Sequence, residues 1–425
     1  MWPPEMPRDG NGGDAMVHVV GAGLAGLSAA MTLVEAGRRV TVHESGPQAG
    51  GRCRSYFDRE LGCRLDNGNH LLLSGNRASW AFMDRIGTRA TMGGPASALF
   101  PFIDVATGER WTVRPNAGRV PWWVLSKRRR VPGVALREFA ALLALRRASA
   151  TATVADMLPP GELSRRLLEP LAIAALNTPL ATASARLLGR IMDESLSRGG
   201  RACVPAFPRE GLSETFIDPA VEWLRRRGAI VHTGRRIAGL SLDDDRVAGL
   251  AGPDGTLAFG PDDAVLLAVP APAAAAMVPG LVVPTEFEAI VNLHYRIDAD
   301  PGEAGFVGLV GGTAEWVFLK PGVVSVTISA ANRLVDSAAE DLATALWPEV
   351  SLAAGLSAPL PRWRVVKEKR ATFAATPAQD ARRPAAATAW RNLALAGDWT
   401  ATGLPATIEG AIRSGCTAAR RLLAV

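Results

Sequence analysis

"MVHVVGAGLAGLSAAMTLVEAGRRVTVHES" runs from Met16 to Ser45, and its reading decides the fold. Met16–Val20 is a short apolar strand, and Gly21, Gly23 and Gly26 follow it before a helix that ends near Gly37. A second strand, Val40–His43, then leads into Glu44. Strand, glycine turn, helix, strand and acid together form a complete βαβ dinucleotide pattern. Gly21 permits the tight turn, Gly23 lets the backbone approach a pyrophosphate, and Gly26 allows close helix–strand packing. The amides of Leu24 and Ala25 open the helix at its positive dipole end. Glu44, with Ser45 beside it, can accept both ribose hydroxyls, and its charge disfavours a 2′-phosphate. The fold class is therefore α/β, with a Rossmann-like nucleotide domain.

Directly downstream, "GPQAGGRCRS" (Gly46–Ser55) supplies Gly50 and Gly51 for a turn beneath the ligand, and Arg52 and Arg54 as guanidiniums able to offset pyrophosphate charge. Far away, "LALAGDWTATGLPATIEGAIRSG" (Leu393–Gly415) repeats the logic. A buried strand ends at Gly397 and Asp398, a loop follows, and an amphipathic helix opens at Ala406, Thr407 and Ile408. Asp398 can accept from ligand hydroxyls, and the helix start can stabilise negative charge. Between these ends, strands are expected to finish near Ile237 and Val269, with a hairpin at Asp254–Gly255. Ile237 is expected beside an adenine ring.

Those stretches together resemble the flavin-containing amine oxidase and carotenoid desaturase superfamily, which implies FAD over NAD. More narrowly, "LDNGNHLLLSGN" (Leu65–Asn76), "AALNTP" (Ala174–Pro179), "EKRATFAATP" (Glu368–Pro377) and the "GDWTATGLPATIEGA" ending resemble the squalene-associated FAD-dependent desaturase family. Members of that family act as hydroxysqualene dehydroxylases in hopanoid biosynthesis. The resemblance covers Met16–Val425. It implies an amine-oxidase-like architecture, non-covalent FAD, a hydrophobic C30 isoprenoid as substrate, and reduction of hydroxysqualene to squalene with loss of water. It also implies that Asn67 and Gly68 lie under the flavin ring. A carotenoid-like isoprenoid desaturase and a flavin-dependent amine oxidase are the competing activities.

Loss of an allylic hydroxyl as water needs an acid, a dry apolar tunnel and groups that tolerate a transient cation. Of the five histidines, His18, His43 and His232 fall on nucleotide-domain strands and His294 lies in the substrate region, whereas His70 falls in the "DNGNH" turn. His70 is the nominated proton donor, with Asp66 as its orienting partner or the alternative acid; both also read as braces of that loop. Among four lysines only Lys320 and Lys369 are placeable near a flavin, and two tyrosines cannot build an amine-binding aromatic cage. The four cysteines lack metal-site spacing, so no metal is expected and a reducing compartment fits; Cys416, in the C-terminal helix, is the cysteine to check for a covalent flavin link. No motif assigns the electron donor.

Six segments organise the chain: a disordered tail (1–15), a discontinuous FAD domain (16–80, 200–270, 386–425) and an α+β substrate domain (81–199, 271–385). Residues 81–199 are read as helix-rich, through "VALREFAALLALRRA" and "LSRRLLEPLAIAAL". Residues 271–385 hold strands whose alternation suggests a cavity-lining face. Between Pro121 and Ala150 seven Lys/Arg stand against one Glu, a local charge equal to the +6 of the whole chain. Trp122, Trp123, Lys127, Arg128, Arg129 and Arg130 in segment 119–147 therefore read as a contact for an anionic membrane surface. With no secretory signal and no uninterrupted apolar span, the expected place is cytoplasmic, peripheral on the inner face of the cytoplasmic membrane. Aromatic and basic residues do not interleave on strands, so nucleic acid is not a partner.

Overall fold

The computed structural model describes residues 15–424. The tail assigned to residues 1–15 lies outside the described residues except at its last position.

A five-stranded parallel sheet gathers distant parts of the sequence. Its centre is β1 (Met16–Val20), flanked by β2 (Arg39–His43) and Ile230–His232 on one side and by Ala264–Leu267 and Leu393–Leu395 on the other. Helix α1 (Leu24–Glu35) crosses from β1 to β2 and packs against the C-terminal helix Ile408–Leu423. The two helices touch backbone to backbone: a Cβ on Gly415 would stand 2.1 Å from the Ala25 carbonyl oxygen, and the Ser28 hydroxyl donates to the Ile412 carbonyl at 2.9 Å. Cys416 is part of this seam, 3.2 Å from the Ser28 hydroxyl, which places its thiol between helices. Two strand ends differ from the sequence reading. The last strand stops at Leu395, and Ile237 lies buried in the connection after Ile230–His232 instead of ending a strand. The hairpin at Asp254–Gly255 is present, with Gly252 paired to Gly255.

The second sheet has seven strands, ordered Trp363–Phe373, Phe287–Tyr295, Val323–Ile328, Trp316–Lys320, Phe306–Val310, Phe100–Asp104 and Arg110–Val113. Val291, Leu293, Tyr295, Val324 and Val326 pack under the helix Ala339–Ala354. The period of two turns Asn292, His294, Ser325 and Thr327 to the opposite face.

Phe100–Asp104 and Arg110–Val113 lie in the segment expected to be helix-rich, and they are strands because they complete this sheet's edge. Helical content there is also broken. "VALREFAALLALRRA" yields a 3-10 turn and a single α-turn (Ala141–Leu145), while "LSRRLLEPLAIAAL" starts as a π-turn. Pro170 lacks the amide that α-spacing requires at the junction.

His18 and His43 stack on neighbouring strands with ring nitrogens 3.1 Å apart. Burial lowers His18 to about 4 and His43 to about 3. The unfolded chain, with histidines near 6.5, therefore takes up protons first. This contribution is complete above neutral pH and is lost as pH falls below 6.5. We expect a loss on the order of 2 kcal/mol per ring between pH 7 and pH 5, read as a falling thermal midpoint.

Candidate active site

The first glycine turn closes on itself. Gly21 has φ +104, and a Cβ there would lie 2.4 Å from the Ala268 carbonyl oxygen, while one on Gly26 would lie 1.9 Å from the Gly21 carbonyl oxygen. Gly23 differs, because nothing lies within 4 Å of the place its Cβ would occupy. Gly51 faces the same opening, with only the Gly23 Cα at 3.7 Å. The two loops are tied by a Gly23–Gly50 bridge and by the Gly50 amide donating to the Ala22 carbonyl at 2.9 Å.

Glu44 follows β2 with its carboxylate aimed by two amides, Ala22 at 2.9 Å and Gly46 at 2.7 Å, and Ser45 donates to it at 3.3 Å. The opening turn of α1, at Leu24 and Ala25, carries no acid. An open cradle, a helix N-terminus and an oriented carboxylate fit a dinucleotide without a 2′-phosphate.

The two arginines are placed differently from the sequence reading. Arg52 donates to both oxygens of Asp398, at 2.8 and 2.7 Å, and to the Ala371 carbonyl. Its charge is met by a carboxylate held almost out of solvent, so Arg52 joins the two cofactor-side segments to each other. Arg54 turns back onto the Gly51 carbonyl and braces the glycine-pair turn.

At the other end of the chain, Gly397 (φ +147) donates its amide to the Ser414 hydroxyl at 2.9 Å. Ala406 leads into Thr407, which caps the helix by accepting from the Gly410 amide at 3.0 Å, so that Ile408 opens the first turn.

Two residues here escaped the sequence reading. The Arg383 side chain is 1% exposed and clamps the 398–402 loop through the carbonyls of Asp398 and Thr400 and the Thr402 hydroxyl. Glu409 is 2% exposed and accepts from the amides of Ala78 and Ser79, at the start of helix α2 (Arg77–Ile86), and from the Ser79 hydroxyl. An acid directly after a helix start was the available signal for Glu409; nothing in the local pattern marked Arg383.

Strands β3 (Ser55–Asp58) and β4 (Cys63–Asp66) deliver the 66–70 loop to the polar face of the second sheet. Asp66 accepts from Ser55 at 2.7 Å, from the Leu212 amide at 2.8 Å and from the Lys320 ammonium at 2.9 Å. These donors engage both of its oxygens, and among the described residues no hydrogen bond joins Asp66 to His70. Asp66 therefore holds Lys320 and the loop instead of orienting the imidazole.

Asn67 donates toward Glu368 and its carbonyl accepts from Asn292; Gly68 lies against the Asn292 amide. Asn69 donates to Thr327, which in turn donates to Asn292. His70 is only partly covered, yet it stands deep among protein atoms. That burial lowers its pKa to about 4; Arg52 and Lys320 push the same way, against Asp66. At neutral pH the ring is uncharged.

Register carries this face into an apolar half. Thr327 is opposite Trp316 and Ser325 opposite Phe318; Gly308 is opposite both Trp316 and Phe102, and Phe306 opposite Phe318. Opposed residues share a face. Phe102, Phe306, Trp316, Phe318 and Phe207 thus form a continuous wall, with neighbouring ring centroids 5.5–6.2 Å apart. The sequence could not place this wall of phenylalanine and tryptophan because the rings come from separate strands. No cluster of three or more His, Cys, Asp or Glu suited to a metal occurs among the described residues.

A dinucleotide laid along the strand ends, between two glycine loops and a facing sheet, is the arrangement of the flavin containing amine oxidoreductases; that family's model matches residues 24–297 and 315–423, and this chain belongs to the family. Within it the chain sides with the hydroxysqualene dehydroxylases. A protein of that name from Rhodopseudomonas palustris is 48% identical over 410 residues, covering 96% of this chain and 98% of its own. Another from Sinorhizobium fredii is 48% identical over 404 residues, covering 95% and 97%. An oxidoreductase structure from Methanosarcina mazei superposes with a TM-score of 0.71 at 16% identity, covering 94% of this chain and 98% of that one, a likeness of fold. The protein is thus a flavin-dependent oxidoreductase. No helix among the described residues is long and apolar enough to cross a membrane.

Proposed function

We propose that the chain holds FAD non-covalently and reduces hydroxysqualene, a C30 isoprenoid alcohol, to squalene. One observation carries this reading: a single sheet face runs from a polar, proton-bearing end at Lys320, Asp66 and His70 into a wall of Phe and Trp rings. That gradient suits a long hydrocarbon bearing one allylic hydroxyl, and the near-full-length relatives named hydroxysqualene dehydroxylase support it. Non-covalent attachment is supported by Cys416 lying between helices.

Reduced FAD supplies the hydride. The chain supplies the rest: the C–O bond breaks as a proton reaches the oxygen, water leaves, and the carbon receives the hydride's electron pair and hydrogen. Uncharged His70 serves as a hydrogen-bond partner for the hydroxyl. Lys320, held by Asp66 at 2.9 Å, serves as the proton source. The ring wall faces the transient positive charge and keeps water out.

The pH dependence separates the two acids. An imidazolium with pKa about 4 would make the single-turnover rate fall tenfold per unit above that value. We expect no such fall, because uncharged His70 is not the proton source. Lys320→Met should lower the rate by about 10²–10⁴-fold while flavin content stays normal. Full turnover by Lys320→Met, or a falling profile, sinks this assignment. The flavin reading is checked by acid precipitation, which should release FAD into the supernatant; flavin retained in the pellet contradicts it.

A further inference from the structure

Four large apolar side chains stand out to solvent in one short stretch: Val120 is 75% exposed, Trp122 49%, Leu125 67% and Leu136 49%. One such residue is ordinary, but a group of them on one segment is not. Trp123, expected at the same surface, turns inward instead. It is 2% exposed and meets Phe139 edge-to-face at 5.5 Å, because a 3-10 turn at Trp122–Leu125 sends adjacent side chains in different directions.

The outward set is held rigidly. Buried Asn116 donates to the carbonyls of Gly118 at 3.1 Å and Val120 at 3.0 Å, and accepts from the Trp123 amide at 3.2 Å. Its own carbonyl accepts from Gly200 at 2.8 Å, and a Cβ on Gly199 would lie 2.4 Å from the Gly118 carbonyl oxygen. Arg129 lies over the Trp122 ring at 4.7 Å. Exposed cations, Arg119, Lys127, Arg128 and Arg137, surround this keel, and no acidic residue occurs between Arg110 and Arg137.

We propose that the keel docks on an anionic lipid bilayer. Val120, Trp122, Leu125 and Leu136 enter the boundary between headgroups and acyl chains, and Arg119, Lys127, Arg128 and Arg137 meet the lipid phosphates. Charge complementarity selects this occupant over a second copy, since two such keels would oppose like charges. The chain then rests on a leaflet without crossing it, and an anionic leaflet is the cytoplasmic one. Docking stands independently of the substrate assigned above.

The test is flotation of the full-length holoprotein with vesicles of phosphatidylcholine alone or with phosphatidylglycerol added. Binding should require phosphatidylglycerol and weaken with salt. Lys127→Ser with Arg128→Ser should reduce partitioning roughly thirtyfold. A separate Val120→Ser, Trp122→Ser, Leu125→Ser protein should not float, while keeping its flavin and thermal midpoint. Equal flotation of that triple variant, equal binding to uncharged vesicles, or no binding to anionic ones overturns the proposal. Light scattering that shows a dimer dispersed by the triple variant overturns it as well.

Discussion

Replacing Gly23 with valine is expected to leave a folded chain that purifies without flavin. Gly23 has φ −74 and ψ 177, a backbone that any residue adopts, so valine meets no conformational strain. Its Cβ would also meet no protein atom, since nothing lies within 4 Å of that position. Its added atoms occupy the volume between Gly23 and Gly51, where the dinucleotide phosphates belong. An overlap of that kind costs about 3 kcal/mol, or roughly a hundredfold in affinity. Gly26→Ala is the control, for there the Cβ would stand 1.9 Å from the Gly21 carbonyl oxygen, and the turn itself must break. Flavin absorbance per chain, together with apoprotein melting, separates the two. A valine variant with stoichiometric flavin would place the cofactor elsewhere.

Glu409→Ala should be the most destabilising single change outside the glycine turns. Its carboxylate is 2% exposed and joins three bodies: its own helix, the start of α2 through Ala78 and Ser79, and, through Arg413 on its own helix, the helix end at Glu194. Removing it strands two buried amides, a hydroxyl and part of a cation's compensation, a loss of about 3–5 kcal/mol. The thermal midpoint should drop by roughly 3–6 °C. Because Ala406–Ile408 begin the same helix, flavin should also be lost more readily. Glu409→Gln keeps the shape and two acceptor sites, and should sit between the two proteins. An unchanged midpoint in the alanine variant would refute the bridging role.

The nucleotide half was legible because its signals are local. Gly21, Gly23, Gly26 and Glu44 lie within one βαβ unit, where periodicity and turn chemistry speak directly. The C-terminal helix was legible for the same reason, since Thr407 caps it within its own turn.

What failed was partnership across the chain. Arg52 finds Asp398, and Asp66 finds Lys320, at sequence separations that no local pattern encodes. His70 was found as a residue, but its lowered pKa comes from burial made by the assembled cleft. Trp122 and Trp123 looked alike in sequence, and only the turn geometry separated an outward ring from a core one. The strands at Phe100–Asp104 and Arg110–Val113 are short and close one end of the sheet, and their order depends on residues two hundred positions later.

In the proposed reaction carbon receives its hydrogen from the reduced flavin as a hydride. The flavin N5 hydrogen exchanges with solvent, so the protein should be photoreduced anaerobically in D₂O and mixed with unlabelled hydroxysqualene. Flavin reoxidation is expected, with one equivalent of squalene carrying a single deuterium at the carbon that bore the hydroxyl. Unlabelled squalene, or reduced flavin standing beside untouched hydroxysqualene, would contradict it.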